Sequence, residues 1–377
     1  MRTGIWLVGG RGSVATTTVV GAAAVRAGVV PPTGCVAELP IFHQLPLSTF
    51  DDLMFGGHDV TDVALTKRAE LLTEAGVLPA GLADLAHDAL LAAEAELRPG
   101  TDVSTNDAET CGRLAADLTD FRSRNDLDQV VVVDVSATEA KATPDPAHES
   151  WQALRAAMGR GSVLPASSRY ACAAFLAGCG FVGFTPSTGA RLPALDELAR
   201  SGGVCYAGCD GKTGETLVKA ALAPMFAHRA LRVHSWSGTN LLGGGDGANL
   251  ADPDRAASKA ESKALVLERT LGHPVEGGVH IHNVPGLGDW KTAWDHISFS
   301  GFLGVRMTMQ FTWQGCDSAL AAPLVLDLAR FLALAQHSGR SGAVPELACY
   351  FKDPIGTGEH GFDRQFATLV DWASGLR

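Results

Sequence analysis

The segment 4–26 constrains the chain most. Gly4-Ile-Trp-Leu-Val8 is a short apolar run, of the kind that makes a strand buried on both faces. Gly9-Gly10-Arg11-Gly12-Ser13 breaks it, and Val14 to Arg26 is an Ala/Val-rich stretch of helix length. Strand, glycine turn and helix in that order open a doubly wound α/β sheet. In such a unit the glycines let the backbone turn sharply and approach a pyrophosphate, whose charge meets the helix N-terminus. Gly10, Arg11, Gly12, Ser13 and Val14 are therefore candidate dinucleotide-binding residues.

The pattern continues downstream. Gln129–Val135, Phe181–Phe184 and Val204–Tyr206 read as further short strands, separated by helical patterns at about 61–77, 83–97, 108–122, 147–158 and 169–179. After residue 217 the texture changes. Arg232–Ser237, Gly278–Asn283 and Ile297–Trp313 read as strands, and Val305 to Trp313 alternates apolar with polar, as a half-buried antiparallel strand does. A long apolar helix begins near Ser318. The expected fold is α/β: a Rossmann-like doubly wound parallel sheet built from 1–216 and 318–377, with an inserted β-rich α+β unit, 217–317, for catalysis and oligomerisation. The apolar face of the strand at 305–313 is the expected oligomer contact. An acidic residue should end the second strand and hold a ribose hydroxyl; Glu38 is the nearest candidate, which favours NAD, whereas Arg11 would suit a phosphorylated ribose. The stretch Gly243 to Gly288 is expected to include a segment poorly ordered without substrate, because it holds few apolar residues.

Charge narrows the partners. The net charge is -11 and the pI about 5.5, which argues against nucleic acid and against an anionic membrane surface. An anionic substrate must then be met by a local cationic cluster. Only eight of the 30 basic residues are lysine, and six of those lie in the second half: Lys212, Lys219, Lys259, Lys263, Lys291 and Lys352. Lysine's compact ammonium loses its proton readily when buried, so retained lysines point to chemistry on an anionic, carbonyl-bearing substrate. The eight cysteines form no CxxC pair and no zinc spacing, and read as reduced core thiols. The N-terminus lacks the layout of a signal peptide and no apolar run looks long enough to span a bilayer, so a cytoplasmic protein is expected.

Four separated segments together resemble the myo-inositol-phosphate synthase family. Ser48 to Val60 (STFDDLMFGGHDV) is similar to D-L-v-f-G-G-W-D-I. Gly208 to Thr216 (GCDGKTGET) is similar to G-D-D-x-K-S-G-Q-T. Asn240 to Asn249 (NLLGGGDGAN) with Ser258 to Lys263 (SKAESK) resembles N-H-L-G-N-N-D-G-x-N-L followed by S-K-x-x-S-K. Pro285 to Lys291 (PGLGDWK) with Cys316 to Leu324 (CDSALAAPL) resembles V-G-D-S-K and C-E-D-S-L-L-A-T-P-L, and Tyr350-Phe-Lys352-Asp-Pro is a weaker fifth match. Order and spacing hold across nearly the whole chain.

The resemblance implies an isomerase that uses NAD tightly held and recycled. A hexose 6-phosphate is oxidised, the resulting ketone acidifies the neighbouring C–H, the enolate closes on the sugar's own carbonyl, and the hydride is returned. It implies Lys259 as base, with Lys263 beside it lowering its pKa, and Lys291 and Lys352 as donors to the enolate and alkoxide. Thr213, Gly214, Glu215 and Thr216 at a helix start, with Lys263 and Lys291, would hold the phosphate. Asp210, Asp246 and Asp317 would orient lysines, the nicotinamide end or a bound cation, and Asn240 belongs to the catalytic set. Asp59, Val60, Ser136, Ala137, Thr138 and Thr185 would join the glycine turn around the cofactor. A homotetramer is implied as well. Departures fall among substrate-facing amides: the paired asparagines are Gly244 and Gly245, the Trp of the first motif is His58, and the phosphate-loop Gln is Glu215, which would repel a phosphate unless it pointed away. Fructose 6-phosphate closing to a five-membered cyclitol phosphate, as in carbocyclic nucleoside pathways, is therefore an alternative. A simple NAD(P)-dependent dehydrogenase and a non-catalytic nucleotide-binding protein are readings from other classes.

Overall fold

The computed structural model describes residues 1–101, 106–243, 267 and 269–376. In chain order the first half comprises β1 (Thr3–Val8), α1 (Ser13–Arg26), β2 (Leu53–Asp59), α2 (Leu65–Glu74), α3 (Leu82–Leu85), α4 (His87–Ala95), β3 (Leu97–Pro99), α5 (Asp107–Arg124), β4 (Gln129–Asp134), α6 (Trp151–Met158), α7 (Ala166–Leu176), β5 (Gly180–Gly183), α8 (Pro193–Ser201) and β6 (Cys205–Gly208). Then come α9 (Gly214–His228), β7 (Arg232–Leu242), β8 (Val279–Asn283), β9 (Trp290–Ser300), β10 (Arg306–Cys316), α10 (Asp317–His337), β11 (Gly342–Ala343) and α11 (Phe362–Ser374).

Seven strands form one parallel sheet in the order β11-β6-β5-β4-β1-β2-β3. This is the doubly wound order, with its switch point between β1 and β4, where the glycine turn lies. Both faces are covered, and the strands show why they need no polar side. Ile5, Leu7, Val131 and Val133 enter one core; Trp6, Val8, Val130 and Val132 enter the other. Room for Trp6 requires glycine next door: a Cβ at Gly56 would sit 2.8 Å from its indole ring. The second strand in sequence is thus β2, which ends at Asp59, and Glu38 is not its acidic terminus. Residues Val36–Glu38 form a short 3-10 turn, and Glu38 pairs with Arg330 at 2.7 Å.

The second sheet runs β10-β9-β7-β8. β9 pairs antiparallel with β10 and β7, whereas β7 and β8 are parallel. Register and period-two alternation place four rows of side chains on the face turned to α9: Trp236 with Ile297; Gly238, Asp295 and Phe311; Asn240, Ala293 and Trp313; Leu242, Lys291 and Gly315. The inner row packs on Ala223 and Phe226 of α9. Met309 and Phe311 pack against the same cluster and stay half-buried.

α10 corrects another expectation. Its 21 residues are long and apolar enough to cross a membrane by composition, yet most of it is buried within the protein. Asp327 and Arg330 sit inside it, the carboxylate accepting from the Val36 N–H at 2.5 Å and the guanidinium donating to the Ser48 carbonyl at 2.7 Å. All eight cysteines are buried and unpaired. Of the stretch expected to be poorly ordered, 244–266 lies outside the described residues, and Val279–Asn283 is β8.

Candidate active site

A cavity of about 500 Å³ opens where the C-terminal ends of β1, β4 and β5 and the segment after β6 face the start of β9 and the end of β7. Ligands of open α/β sheets bind at this edge, beside the switch point. Gly12, Ser13 and Val14 line one end. The turn is tight: Gly9 has φ +83°, and a Cβ at Gly10 would meet the Leu97 side chain at 2.7 Å. Asp59 buttresses the turn from behind, its carboxylate accepting from the Arg11 N–H at 2.7 Å. α1 has no side-chain cap, so its first N–H groups have no side-chain acceptor, as a pyrophosphate-binding helix start requires. The Arg11 guanidinium is bonded to Glu94 and to the Val63 carbonyl, which removes it as a clamp for a phosphorylated ribose. Gly10, Arg11, Asp59 and Val60 lie outside the cavity lining, and Val60 is exposed.

Ser136, Ala137 and Thr138 line the same end. They are set by Asp134, which accepts from the Ser136 N–H at 3.1 Å and its hydroxyl at 2.6 Å. Burial pushes the Asp134 carboxyl up to about 6. After β5, Phe184, Thr185 and Pro186 form the floor. The Phe184 and Thr185 carbonyls accept from the N–H groups of Gly211 and Asp210 at 2.8 and 3.1 Å. On its other side this segment takes the chain end: the Lys352 N–H donates to the Asp210 carbonyl at 2.7 Å. That backbone contact brings together residues 142 apart, and the Lys352 ammonium donates to the Asp210 carboxylate at 2.7 Å.

The third wall is the start of α9. Thr213 is its N-cap, without a side-chain cap bond. Gly214 has φ +54°, and a Cβ there would lie 2.6 Å from the Lys291 Nζ, so the ammonium sits directly over the helix start. The Lys291 ammonium also donates to Asp317, which opens α10. The Thr216 hydroxyl is buried without a hydrogen-bond partner among the described residues and lines the cavity. Glu215 lines it too, but its carboxylate is occupied: Lys219 lies 2.5 Å away and the Asn240 amide donates to it at 2.6 Å. Burial raises the pKa of nearby Asp295, although the Lys219 charge opposes it.

Of the residues expected from sequence, Ser13, Thr138, Thr185, Asp210, Thr213, Thr216, Asn240, Lys291, Asp317 and Lys352 thus converge on one cavity. Lys259, Lys263 and Asp246 lie outside the described residues. Sequence reasoning missed Asp289, whose carboxylate accepts from the Ser13 hydroxyl at 3.3 Å. Lys212, one of the retained lysines, lies outside the cavity lining, buried against Gln365 and the Phe362 ring, where desolvation pushes its ammonium down to about 8. Asp289 sits inside the fourth motif segment, which was its available signal.

Helix starts at a doubly wound switch point, joined by lysines held on buried or half-buried carboxylates, define a dinucleotide-dependent enzyme acting on an anionic substrate. Comparison with known proteins narrows this class. A family profile described as myo-inositol-1-phosphate synthase matches residues 3–374. Inositol-3-phosphate synthase 1 of Bacteroides thetaiotaomicron is 33% identical, the alignment covering 95% of this chain and 91% of that one. The human inositol-3-phosphate synthase 1 is 30% identical over 79% of this chain but only 57% of its own length, and the Trypanosoma brucei brucei enzyme is 30% identical over 77% of this chain and 59% of its own. Among solved structures, inositol-3-phosphate synthase of Caenorhabditis elegans superposes with a TM-score of 0.87 at 23% identity, covering 100% of this chain and 86% of that one. A related protein from Thermotoga maritima superposes at 0.81 with 24% identity and 99% of both chains. The chain belongs to the myo-inositol-1-phosphate synthase family, whose members are isomerases that use NAD.

Proposed function

We propose that this chain cyclises a hexose 6-phosphate to a cyclitol phosphate, with glucose 6-phosphate to inositol 3-phosphate as the leading case. One observation carries the reading: the start of α1, the start of α9 beneath Lys291, and the Lys352–Asp210 pair all meet in one cavity. NAD, when bound at the glycine turn, supplies a hydride acceptor that is restored within each turnover. The other tasks fall to side chains. Thr216, Lys291 and the first N–H groups of α9 hold the phosphate. Lys352, oriented by Asp210, steadies the enolate oxygen and then the alkoxide formed on ring closure. Lys259 takes the proton of the oxidised hydroxyl, with Lys263 lowering its pKa. In this reading 1–216 and 318–377 bind NAD, and 217–317 is the catalytic and oligomerisation unit, carrying three of the four catalytic lysines, Lys259, Lys263 and Lys291. A cytoplasmic homotetramer is proposed on family resemblance alone.

Fructose 6-phosphate closing to a five-membered ring is the second reading. It is favoured by Glu215, which puts a carboxylate against Asn240 where the family pattern has an amide. Incubating the protein and NAD with each sugar phosphate and reading the products by NMR separates the two. A cyclitol phosphate with no sustained rise in NADH absorbance supports the proposal. Sustained NADH accumulation without a carbocycle refutes it and leaves a dehydrogenase.

A further inference from the structure

Glu215 is an unexpected neighbour for a phosphate. It stands in the first turn of α9 and lines the cavity, while its side chain is only 3% exposed. Lys219, one helical turn on and 2% exposed, touches its Oε1 at 2.5 Å and the Asp295 Oδ1 at 3.4 Å. Asp295 is fixed in turn by the Trp236 indole N–H at 2.7 Å. On the cavity side, the Asn240 Nδ2 donates to the Glu215 Oε2 at 2.6 Å. A carboxylate only accepts, so Asn240 has to face it with its NH2 group and turn its carbonyl oxygen the other way. Lys219 itself is not part of the cavity wall.

We propose that Lys219 is a positioning residue for the sugar-phosphate site. By neutralising Glu215 from beneath the helix start, it lets a carboxylate stand beside a bound phosphate. It also makes that carboxylate the acceptor that fixes the Asn240 amide. The inference rests on the phosphate reading given above. Without Lys219, Glu215 would face the phosphate across the first turn as a like charge that has lost its buried ammonium. At the effective dielectric of such sites that repulsion corresponds to about a tenfold to hundredfold loss of affinity.

The test is calorimetric titration of the NAD-loaded enzyme with inorganic phosphate and with glucose 6-phosphate. Lys219→Met should weaken both by about tenfold or more, and more strongly at pH 8 than at pH 6, because a phosphate group loses its second proton, and so gains its second negative charge, between those values. Adding Glu215→Gln should return affinity to within about threefold of wild type, since the repelling charge is gone. A merely structural role would show no such rescue, because the lost lysine volume is the same in both variants. Unchanged affinity in Lys219→Met, or a double variant as weak as the single one, overturns the proposal. Folding of Lys219→Met is checked by near-UV circular dichroism. If it fails, Glu215→Gln is compared with Glu215→Gln/Lys219→Met: equal affinity supports the inference and a further loss overturns it. Lys291→Met separates this from the underlying reading. If wild type binds phosphate and Lys291→Met loses it while Lys219→Met does not, only the role of Lys219 is wrong. If wild type binds neither ligand, the phosphate site is wrong and the inference falls with it.

Discussion

Replacing Gly214 with alanine isolates the contact between Lys291 and the start of α9. Two costs are separable. The backbone there has φ +54°, and a Cβ in the left-handed region costs about 1–2 kcal/mol. That cost falls on folding. The second cost is local: the new Cβ would lie 2.6 Å from the Lys291 Nζ and 2.9 Å from its Cε, well inside ordinary contact. The end of a lysine is flexible, so the ammonium withdraws at little cost to the fold, and its partner Asp317 is 39% exposed. What is lost is the cation over the helix start. A charge-assisted contact to phosphate is worth about 1.5–3 kcal/mol, or about a 10- to 150-fold rise in KM for the sugar phosphate. NAD affinity should not move, since the glycine turn is at the other end of the cavity. Gly203→Ala is the control. It has φ +67° with nothing within 4 Å of its Cβ, so it carries the backbone cost alone. Steady-state kinetics, calorimetry with NAD and urea unfolding on both variants make the comparison. Equal KM values in the two would refute the placement of Lys291 over the phosphate.

Three further outcomes follow from buried charges. Lys352→Met removes the ammonium that faces the Asp210 carboxylate, whose side chain is 5% exposed, and should destabilise the protein in urea unfolding by up to about 3–5 kcal/mol; adding Asp210→Asn should recover most of it. Asp327 is held up to about 7 by burial, so between about pH 4 and 7 the folded chain binds more protons than the unfolded one and stability falls as pH rises, by up to about 1.4 kcal/mol per pH unit. In Asp327→Asn that slope should vanish from unfolding curves taken across the range. Lys212 is the reverse case: its ammonium is pushed down to about 8 from 10.5, so stability should rise with pH between those values and Lys212→Met should abolish the rise.

Local signals carried much of the fold into view. The switch-point turn was legible because strand, glycines and helix are contiguous, and the Val-rich β4 because a strand buried on both faces needs no alternation. β2 was harder. Its two glycines read as a motif and not as a strand, because the reason for Gly56 is the Trp6 indole on the neighbouring strand. That shifted attention to Glu38 and away from Asp59 as the strand's acidic end. The alternation of β10 was legible but its direction was not: period two says that one face is apolar, and only α9 says which way it turns. The retention of lysine over arginine drew attention to the lysines of the site, but their roles came from resemblance. Lys352 meets Asp210 through backbone pairing of segments far apart in the chain, which no local rule reports. The i,i+4 spacing of Glu215 and Lys219 was visible in the sequence, but their burial against Asp295 depends on the second sheet.

β9 delivers Lys291, Ala293, Asp295 and Ile297 to one side in strict alternation. That makes its length less negotiable than its composition. Inserting or deleting one residue between 291 and 297 would swing the amine out to solvent and strand the carboxylate on the wrong side of the sheet. Descendants of this sequence can exchange individual side chains along that ribbon and try new sugars, but a frame change of a single amino acid there would extinguish the activity in one step.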